Sequence, residues 1–348
     1  MNRFMRIISI FIILLLLSCG KSGDNSQQRS NIDVRKPMSW GHKQDIYVFA
    51  DDNVWKYAEY HVRKSLERTV FTTMNEPYFM IKRAPLDKME SFYKFNNLLF
   101  LANLDSNQPV AQYVKNIMGE SVSKHIEENS IGVYPQNNVW ANDQFVLFLL
   151  ADTERNLLEL NLEMLNQTFD LFKERLFERI SKQVFKNKIY DDSYFKTFNW
   201  KLDLPKTYTL YKHDAAENYV SFLARLRNKA DRYITIYWEP METDQVTDDW
   251  LKEKRADLAW KCYDEDEIFD KDIRFRLYEL GSFAGWKMAG RWQNKKYSVG
   301  GAFQSFAFYD EESQTAFILD NSVYFPEGYK LAALIELEVI SRTFEVKK

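Results

Sequence analysis

The stretch Asp45-Ile46-Tyr47-Val48-Phe49-Ala50-Asp51-Asp52-Asn53-Val54-Trp55 changes its pattern within a few residues. Its first six residues form a compact apolar run suited to a strand. Asp51, Asp52 and Asn53 then offer oxygens to the free amides of a helix start, and Val54, Trp55, Ala58, Val62 and Leu66 recur at helical spacing. A buried strand that runs straight into an amphipathic helix opens a crossover unit, and the alternation continues downstream. Tyr78 to Lys82 reads as a strand, Pro85 opens a helix with Leu86, Met89 and Phe92 inward, and Leu98 to Ala102 is apolar throughout, as a buried strand requires. Pro109 opens a helix reaching Glu128, and Ile131 to Tyr134 and Gln144 to Ala151 are strands. Thr153 to Phe185 reads as one long helix with Leu158, Leu162, Leu165, Phe169, Phe172, Leu176 and Ile180 in a stripe. Residues 42–190 are therefore expected to form an N-terminal α/β domain with a mixed, partly parallel sheet.

Residues 191–348 follow a different rule. Trp200 to Asp203, Tyr208 to Lys212, Asn218 to Leu226 and Arg232 to Trp238 read as successive, mostly antiparallel strands, and Asp248 to Lys261 as a helix with Leu251, Leu258 and Ala259 inward. Leu277 to Tyr324 is strand-rich, with Gly281, Gly285, Gly290, Gly300 and Gly301 marking bends of a curved sheet. Asp310 to Gln314 is a hairpin turn, and Lys330 to Thr343 reads as a final amphipathic helix. The expected class is α/β (α+β): an alternating N-terminal domain, then a C-terminal domain with a curved, largely antiparallel sheet and packed helices.

Upstream of both, Arg3 and Arg6 precede the apolar run Ile7 to Leu17, and Leu16-Leu17-Ser18-Cys19 closes it with a small residue before a cysteine. This is the shape of a bacterial lipoprotein signal, residues 1–18, cleaved between Ser18 and Cys19. The apolar run is too short for a membrane-spanning helix, which needs about 20 such residues. Cys19 is the expected lipidation site, and several acyl chains, palmitate among them, would anchor it stably. Residues 19–41 then read as the lipidated cysteine and a polar tether.

Loss of Arg3 and Arg6 with the signal leaves 45 Lys plus Arg against 50 Asp plus Glu, a net charge near −5. That balance argues against nucleic acid or an anionic lipid surface as a general partner, since either would favour a basic face. With Cys19 acylated, Cys262 has no intrachain disulfide partner, and a buried structural role is expected for it. His42, His61, His125 and His213 have no ligand-like or triad-like spacing, so neither a metal nor a cofactor is expected, and the chain carries no G-x-S-x-G or H-E-x-x-H.

Two ligand-binding candidates stand out. Asp51 and Asp52 sit where open α/β sheets place ligand crevices, although helix capping accounts for them. Trp286, Arg291 and Trp292, with Tyr297 and Gly300-Gly301, have the chemistry of a surface that stacks sugars or holds a peptide, although a sheet core uses the same residues. The acidic run Asp264 to Glu267 lacks the glycine of a calcium loop.

Phe49-Ala50-Asp51-Asp52-Asn53-Val54-Trp55, Trp140-Ala141-Asn142-Asp143-Gln144, Gly285-Trp286, Gly290-Arg291-Trp292 and Gly300-Gly301 together resemble, in order along the chain, the uncharacterised Bacteroidota lipoprotein family labelled domain of unknown function 4837. The resemblance implies an envelope lipoprotein and assigns no catalytic residue. The C-terminal half alone also looks faintly like the Mog1/PsbP-type sandwich, a likeness of fold only. The expectation is a lipid-anchored cell-envelope protein, attached to the membrane through Cys19 and placed at the outer membrane facing the periplasm. It is expected to bind or assemble with an envelope protein or glycan and not to catalyse. The alternative is an envelope hydrolase acting on glycan or peptide from a site between the two domains.

Overall fold

A computed structural model of the chain describes residues 33, 35–186 and 192–347; the signal segment, Ser18, Cys19, most of the tether and the expected domain boundary lie outside the described residues. The N-terminal half runs β1 (Asp45–Ala50), α1 (Asp52–Leu66), a small hairpin β2 (Thr69–Phe71) and β3 (Asn75–Pro77), β4 (Met80–Arg83), one helical turn α2 (Met89–Phe92), β5 (Asn97–Asn103), α3 (Pro109–Ile117), α4 (Glu120–Asn129), β6 (Ile131–Asn137), β7 (Phe145–Ala151), α5 (Glu154–Glu163) and α6 (Leu165–Val184). Its sheet has the order β4-β1-β5-β7-β6, with β6 the antiparallel member. The three central strands are apolar on both faces because helices cover both. Helices α1, α5 and α6 pack on one side, and α3 and α4 on the other.

The C-terminal half runs β8 (Trp200–Lys201), β9 (Thr209–Asp214), β10 (Tyr219–Ala224), β11 (Asp231–Pro240), α7 (Asp248–Cys262), β12 (Glu267–Ile268), β13 (Arg274–Leu280), β14 (Phe283–Asn294), β15 (Val299–Asp310), β16 (Thr315–Tyr324), α8 (Leu331–Ser341) and β17 (Glu345–Val346). An antiparallel sheet of the order β12-β14-β15-β16-β11-β10-β9, with β13 beside β14, separates α7 on one face from α8 on the other. The chain is thus a mixed α/β protein, as its sequence pattern implies.

Three expectations change. The helix expected from Pro109 to Glu128 is two helices, because Met118 and Gly119 are extended and Gly119 is a poor helix former. The long helix after Thr153 breaks at Met164 into α5 and α6. The break resets the helical phase, so Leu162 of the expected stripe is 45% exposed, while Leu157 and Leu160 turn inward instead. The third concerns α8, which is apolar nearly all round and not amphipathic. Leu331, Ile335 and Val339 join the core of the N-terminal half, whereas Ala333, Leu334, Leu337 and Ile340 join that of the C-terminal half. A helix apolar on every side is stable only when surrounded.

The cap of α8 comes from the other half. Glu76 on β3 accepts hydrogen bonds from the amides of Lys330 at 2.9 Å and Leu331 at 2.8 Å, and Thr72 donates its hydroxyl to the same carboxylate. A carboxylate there satisfies orphan amides and complements the helix dipole. Along the side of α8 that touches β13 and β14, Glu338 takes hydrogen bonds from Tyr278 and Lys287. Burial pulls Lys287 down to about 8. Burial also pushes the Glu338 carboxyl up, but Lys287 and Tyr278 more than offset it, and the carboxyl stays below its ordinary value.

Because α8 belongs to two cores, truncating either of its faces is expected to loosen both halves together. Ile335→Ala and Leu337→Ala should each cost about 2–5 kcal/mol, as buried aliphatic truncations do. Urea unfolding followed separately by hydrogen exchange in α1 and in β16 should show both regions losing protection; loss confined to one half would refute the shared core.

Candidate functional site

At the carboxyl edge of the first sheet, Asp51 does not cap its own helix. Its buried carboxylate accepts hydrogen bonds from the amides of Val110 at 2.9 Å and Ala111 at 3.2 Å, at the start of α3. The reason is topological: β1 and β5 are parallel neighbours, so the helix that follows β5 begins beside the end of β1. Asp52 points outward and pairs with Arg83. Asp152 accepts from the Thr153 amide at 2.6 Å and the Asn156 side chain at 2.7 Å. The crevice position is thus filled by helix-start hydrogen bonding.

The glycine and tryptophan region is split between interior and surface. Trp292 is buried with Met288, Phe303 and Ile318 under α7, Trp286 lies half-buried at the margin of that core, and Tyr297 is exposed. Arg291 pairs with Asp272 and lies over the ring of Phe269 at 4.6 Å and of Phe71, from the β2–β3 hairpin, at 5.6 Å. Gly301 is required by close approach, since a Cβ there would strike the Val323 carbonyl and the Trp292 ring. Trp286, Arg291 and Trp292 therefore present no common stacking surface.

Beneath α7 lies a cluster that reading the sequence alone misses. Ser221, Thr235, Asp320 and Ser305 are cross-strand partners in one row over β10, β11, β16 and β15, and all four are fully buried. Ser221 accepts from Thr235 at 2.7 Å, Tyr263 donates to Asp320 at 3.0 Å, and Ser305 also donates to Asp320. Arg255, on α7 and fully buried, donates Nε to Asp320 at 3.0 Å, while its guanidinium lies 4.2 Å from the centre of the Phe303 ring. Its two terminal nitrogens have no hydrogen-bond partner among the described residues. Cys262 borders the row, and burial pushes its thiol up to about 11, far from a reactive thiolate. The Asp320 carboxylate accepts from three donors, Arg255, Tyr263 and Ser305. What the row does chemically is fix α7 on the sheet by a buried ion pair that engages Nε of Arg255 and leaves its two terminal nitrogens against the Phe303 ring without hydrogen-bond partners among the described residues. The signal in the sequence was Asp320-Asn321-Ser322 in the middle of an otherwise apolar strand.

In the acidic loop, Asp264 and Glu265 adopt positive φ and Asp266 turns inward to accept from Asn294 at 2.8 Å. Burial pushes its carboxyl up to about 6. Among the described residues no group of His, Cys, Asp and Glu has the arrangement of a metal site.

A water-accessible concavity of about 480 Å³ lies on the N-terminal half, where Tyr57 of α1 faces Glu154, Arg155, Leu158, Glu159 and Leu162 of α5. It is an open groove with a mainly apolar lining. Arg155 and Glu159 pair at 2.9 Å along α5.

Residues 187–343 match the domain of unknown function DUF4837, and residues 39–185 match a second one, DUF8532. The first match covers most of the C-terminal half and the second most of the N-terminal half. Gly285-Trp286, Gly290-Arg291-Trp292 and Gly300-Gly301 fall in the first match, while Phe49–Trp55 and Trp140–Gln144 fall in the second, so the family features are carried by two adjoining domain types. No curated protein matches the chain. Faint structural likenesses include LpqN, involved in cell envelope biogenesis of Mycobacterium tuberculosis, with 11% identity over 43% of this chain and 83% of that chain and a TM-score of 0.28. The Ran-binding protein Mog1p of Saccharomyces cerevisiae has 11% identity over 43% of this chain and 92% of that chain, with a TM-score of 0.29.

The buried pair gives a thermodynamic test. Asp320→Asn leaves Arg255 buried without its counter-charge and should cost about 3–5 kcal/mol, whereas the apolar double replacement Arg255→Met with Asp320→Leu should cost clearly less than the two single changes combined. Additive losses in urea titrations would deny the coupling. Asp266 supplies a pH test. Its folded pKa is raised, so its contribution to stability is full below the ordinary carboxyl value near 3.8 and is lost as pH rises through about 6. Asp266→Asn should flatten that part of the stability profile between pH 4 and 7, and an unchanged slope in thermal melts would contradict the assignment.

Proposed function

We propose that this is a lipid-anchored cell-envelope protein whose folded region acts as a binding or assembly component without catalysis. The anchor is Cys19, exposed as the first residue after cleavage behind Ser18, with the protein held at the outer membrane and facing the periplasm. The observation that carries the binding role is a contrast in the folded region. Its hydroxyls, thiol and charged pair of greatest chemical interest are sealed beneath α7, whereas the groove between α1 and α5 opens to solvent with Tyr57, Leu158 and Leu162 beside the charged Glu154, Arg155 and Glu159. Such a groove suits an envelope protein segment or the apolar face of a glycan.

Two measurements decide the reading. Cys19→Ser should leave a precursor that retains its signal and takes up no labelled fatty acid; acylation of that variant would remove the anchor. A photo-crosslinking residue at position 57 should give a discrete adduct in the native envelope, and Leu162→Asp should abolish it while Ser305→Ala leaves it intact. An adduct insensitive to Leu162→Asp, or none above that from a crosslinker at Tyr297, would rule out the groove as the binding site.

A further inference from the structure

We infer that the segment Arg35–Lys43 is a membrane-facing surface that lays the folded region on a phospholipid bilayer, an inference whose orientation rests on the anchor at Cys19. The segment reads Arg35-Lys36-Pro37-Met38-Ser39-Trp40-Gly41-His42-Lys43, with three lysine or arginine residues in a chain that is acidic as a whole; Lys36 and Lys43 are engaged with Asn138, Val139 and Gln183, and Arg35, whose side chain is exposed, pairs with Asp33 at 3.2 Å. Met38 and Trp40 are each 57% exposed. Tryptophan beside an exposed arginine is a side-chain set that settles at the boundary between headgroups and acyl chains, with the ring at headgroup depth and the guanidinium of Arg35 within reach of phosphates.

This surface is built and held. Asn142, almost fully buried, accepts from the Asp33 amide at 3.0 Å through its side-chain oxygen and donates through its side-chain nitrogen to the carbonyls of Asp33 at 2.8 Å and Lys36 at 2.7 Å. The backbone of Asn142 bonds Pro37 and Ser39 on either side of Met38, and Trp40 exchanges backbone bonds with Lys94 and Asn96. Lys36 donates to the carbonyls of Asn138 at 2.6 Å and Val139 at 3.0 Å. One face of the Trp40 ring stacks on Phe95 at 4.7 Å, which leaves its other side outward. Asp143 and Gln144 brace the clamp from behind. Asp143 pairs with Arg175 at 2.7 Å, and Gln144 donates to the carbonyls of Tyr93 and Phe95. The stretch Trp140–Gln144 is thereby the socket in which the chain leaving the anchor is seated.

Chain reach fixes the occupant. Asp33 follows Cys19 by 14 residues in sequence, which at about 3.3–3.6 Å per residue limits the distance between acylated cysteine and clamp to roughly 50 Å. Met38 and Trp40 come just after the clamped end of that tether, which keeps this surface within that reach of the bilayer.

The test uses the mature chain from Cys19, coupled through that thiol to a maleimide lipid in vesicles of phosphatidylethanolamine and phosphatidylglycerol; buried Cys262 stays unmodified. Lipids brominated near the top of the acyl chain should quench tryptophan fluorescence, and Trp40→Phe, which keeps the stack on Phe95, should lose most of that quenching. Met38→Asp and Arg35→Glu, both at exposed positions, should each reduce it at least twofold. Equal quenching in wild type and Trp40→Phe would overturn the inference, as would quenching unchanged by both other variants. The anchor reading is decided separately by fatty-acid labelling, since the maleimide tethers the chain whether or not the cell acylates it.

Discussion

One helix sets the terms for the whole molecule. Helix α8 has no solvent face wide enough to make it a surface helix, so it must be enclosed, and each half supplies part of the enclosure. The consequence is a single packing problem solved across two sheets of opposite style, one mostly parallel and one antiparallel. Each side of α8 contributes apolar area removed from water, and the polar exceptions, Glu338 against Lys287 and Ser341 against Asn321, are paired inside.

The same economy recurs where helices begin. Asp51 and Glu76 each place both carboxylate oxygens on the first amides of a helix remote in sequence, α3 and α8 respectively. A local cap such as Thr153 or Thr247 fixes only where its own helix starts. A remote cap fixes where two elements sit relative to each other, and it gives a buried carboxylate its hydrogen bonds at the same time. In this protein such carboxylates hold the architecture together, and Asp51 occupies a position that in other α/β folds receives ligands.

What could be read from the sequence follows from the range of the forces involved. Strands β1, β5 and β7 announce themselves because both faces are apolar, and the hairpin at Asp310–Gln314 because turn residues interrupt two apolar runs. The break at Met164 is harder to see, as leucines on either side suit a helix of either phase. The row of Ser221, Thr235, Asp320 and Ser305 depends on the register of four strands up to 99 positions apart in the chain and exists only once they pair. The enclosure of α8 was the least legible of all. Its three leucines, two isoleucines and valine run nearly all round the helix, which marks it as enclosed, but nothing local tells that two different cores enclose it.

The placement of α8 after every strand of both large sheets governs how the protein comes into being. Glu76 and its amide partners Lys330 and Leu331 are separated by 254 and 255 positions. A chain delivered in sequence order from its N-terminus assembles the five-stranded sheet long before the helix that must cover part of its inner layer. Until then Phe172, Leu176 and their neighbours on α6 lack α8 beside them. Such distant closure is slow, and the waiting surface is sticky. Maturation therefore resembles fitting a keystone: the structure carries little load until its last stone is placed, and a chain interrupted before residue 331 leaves two unfinished arches instead of one finished half.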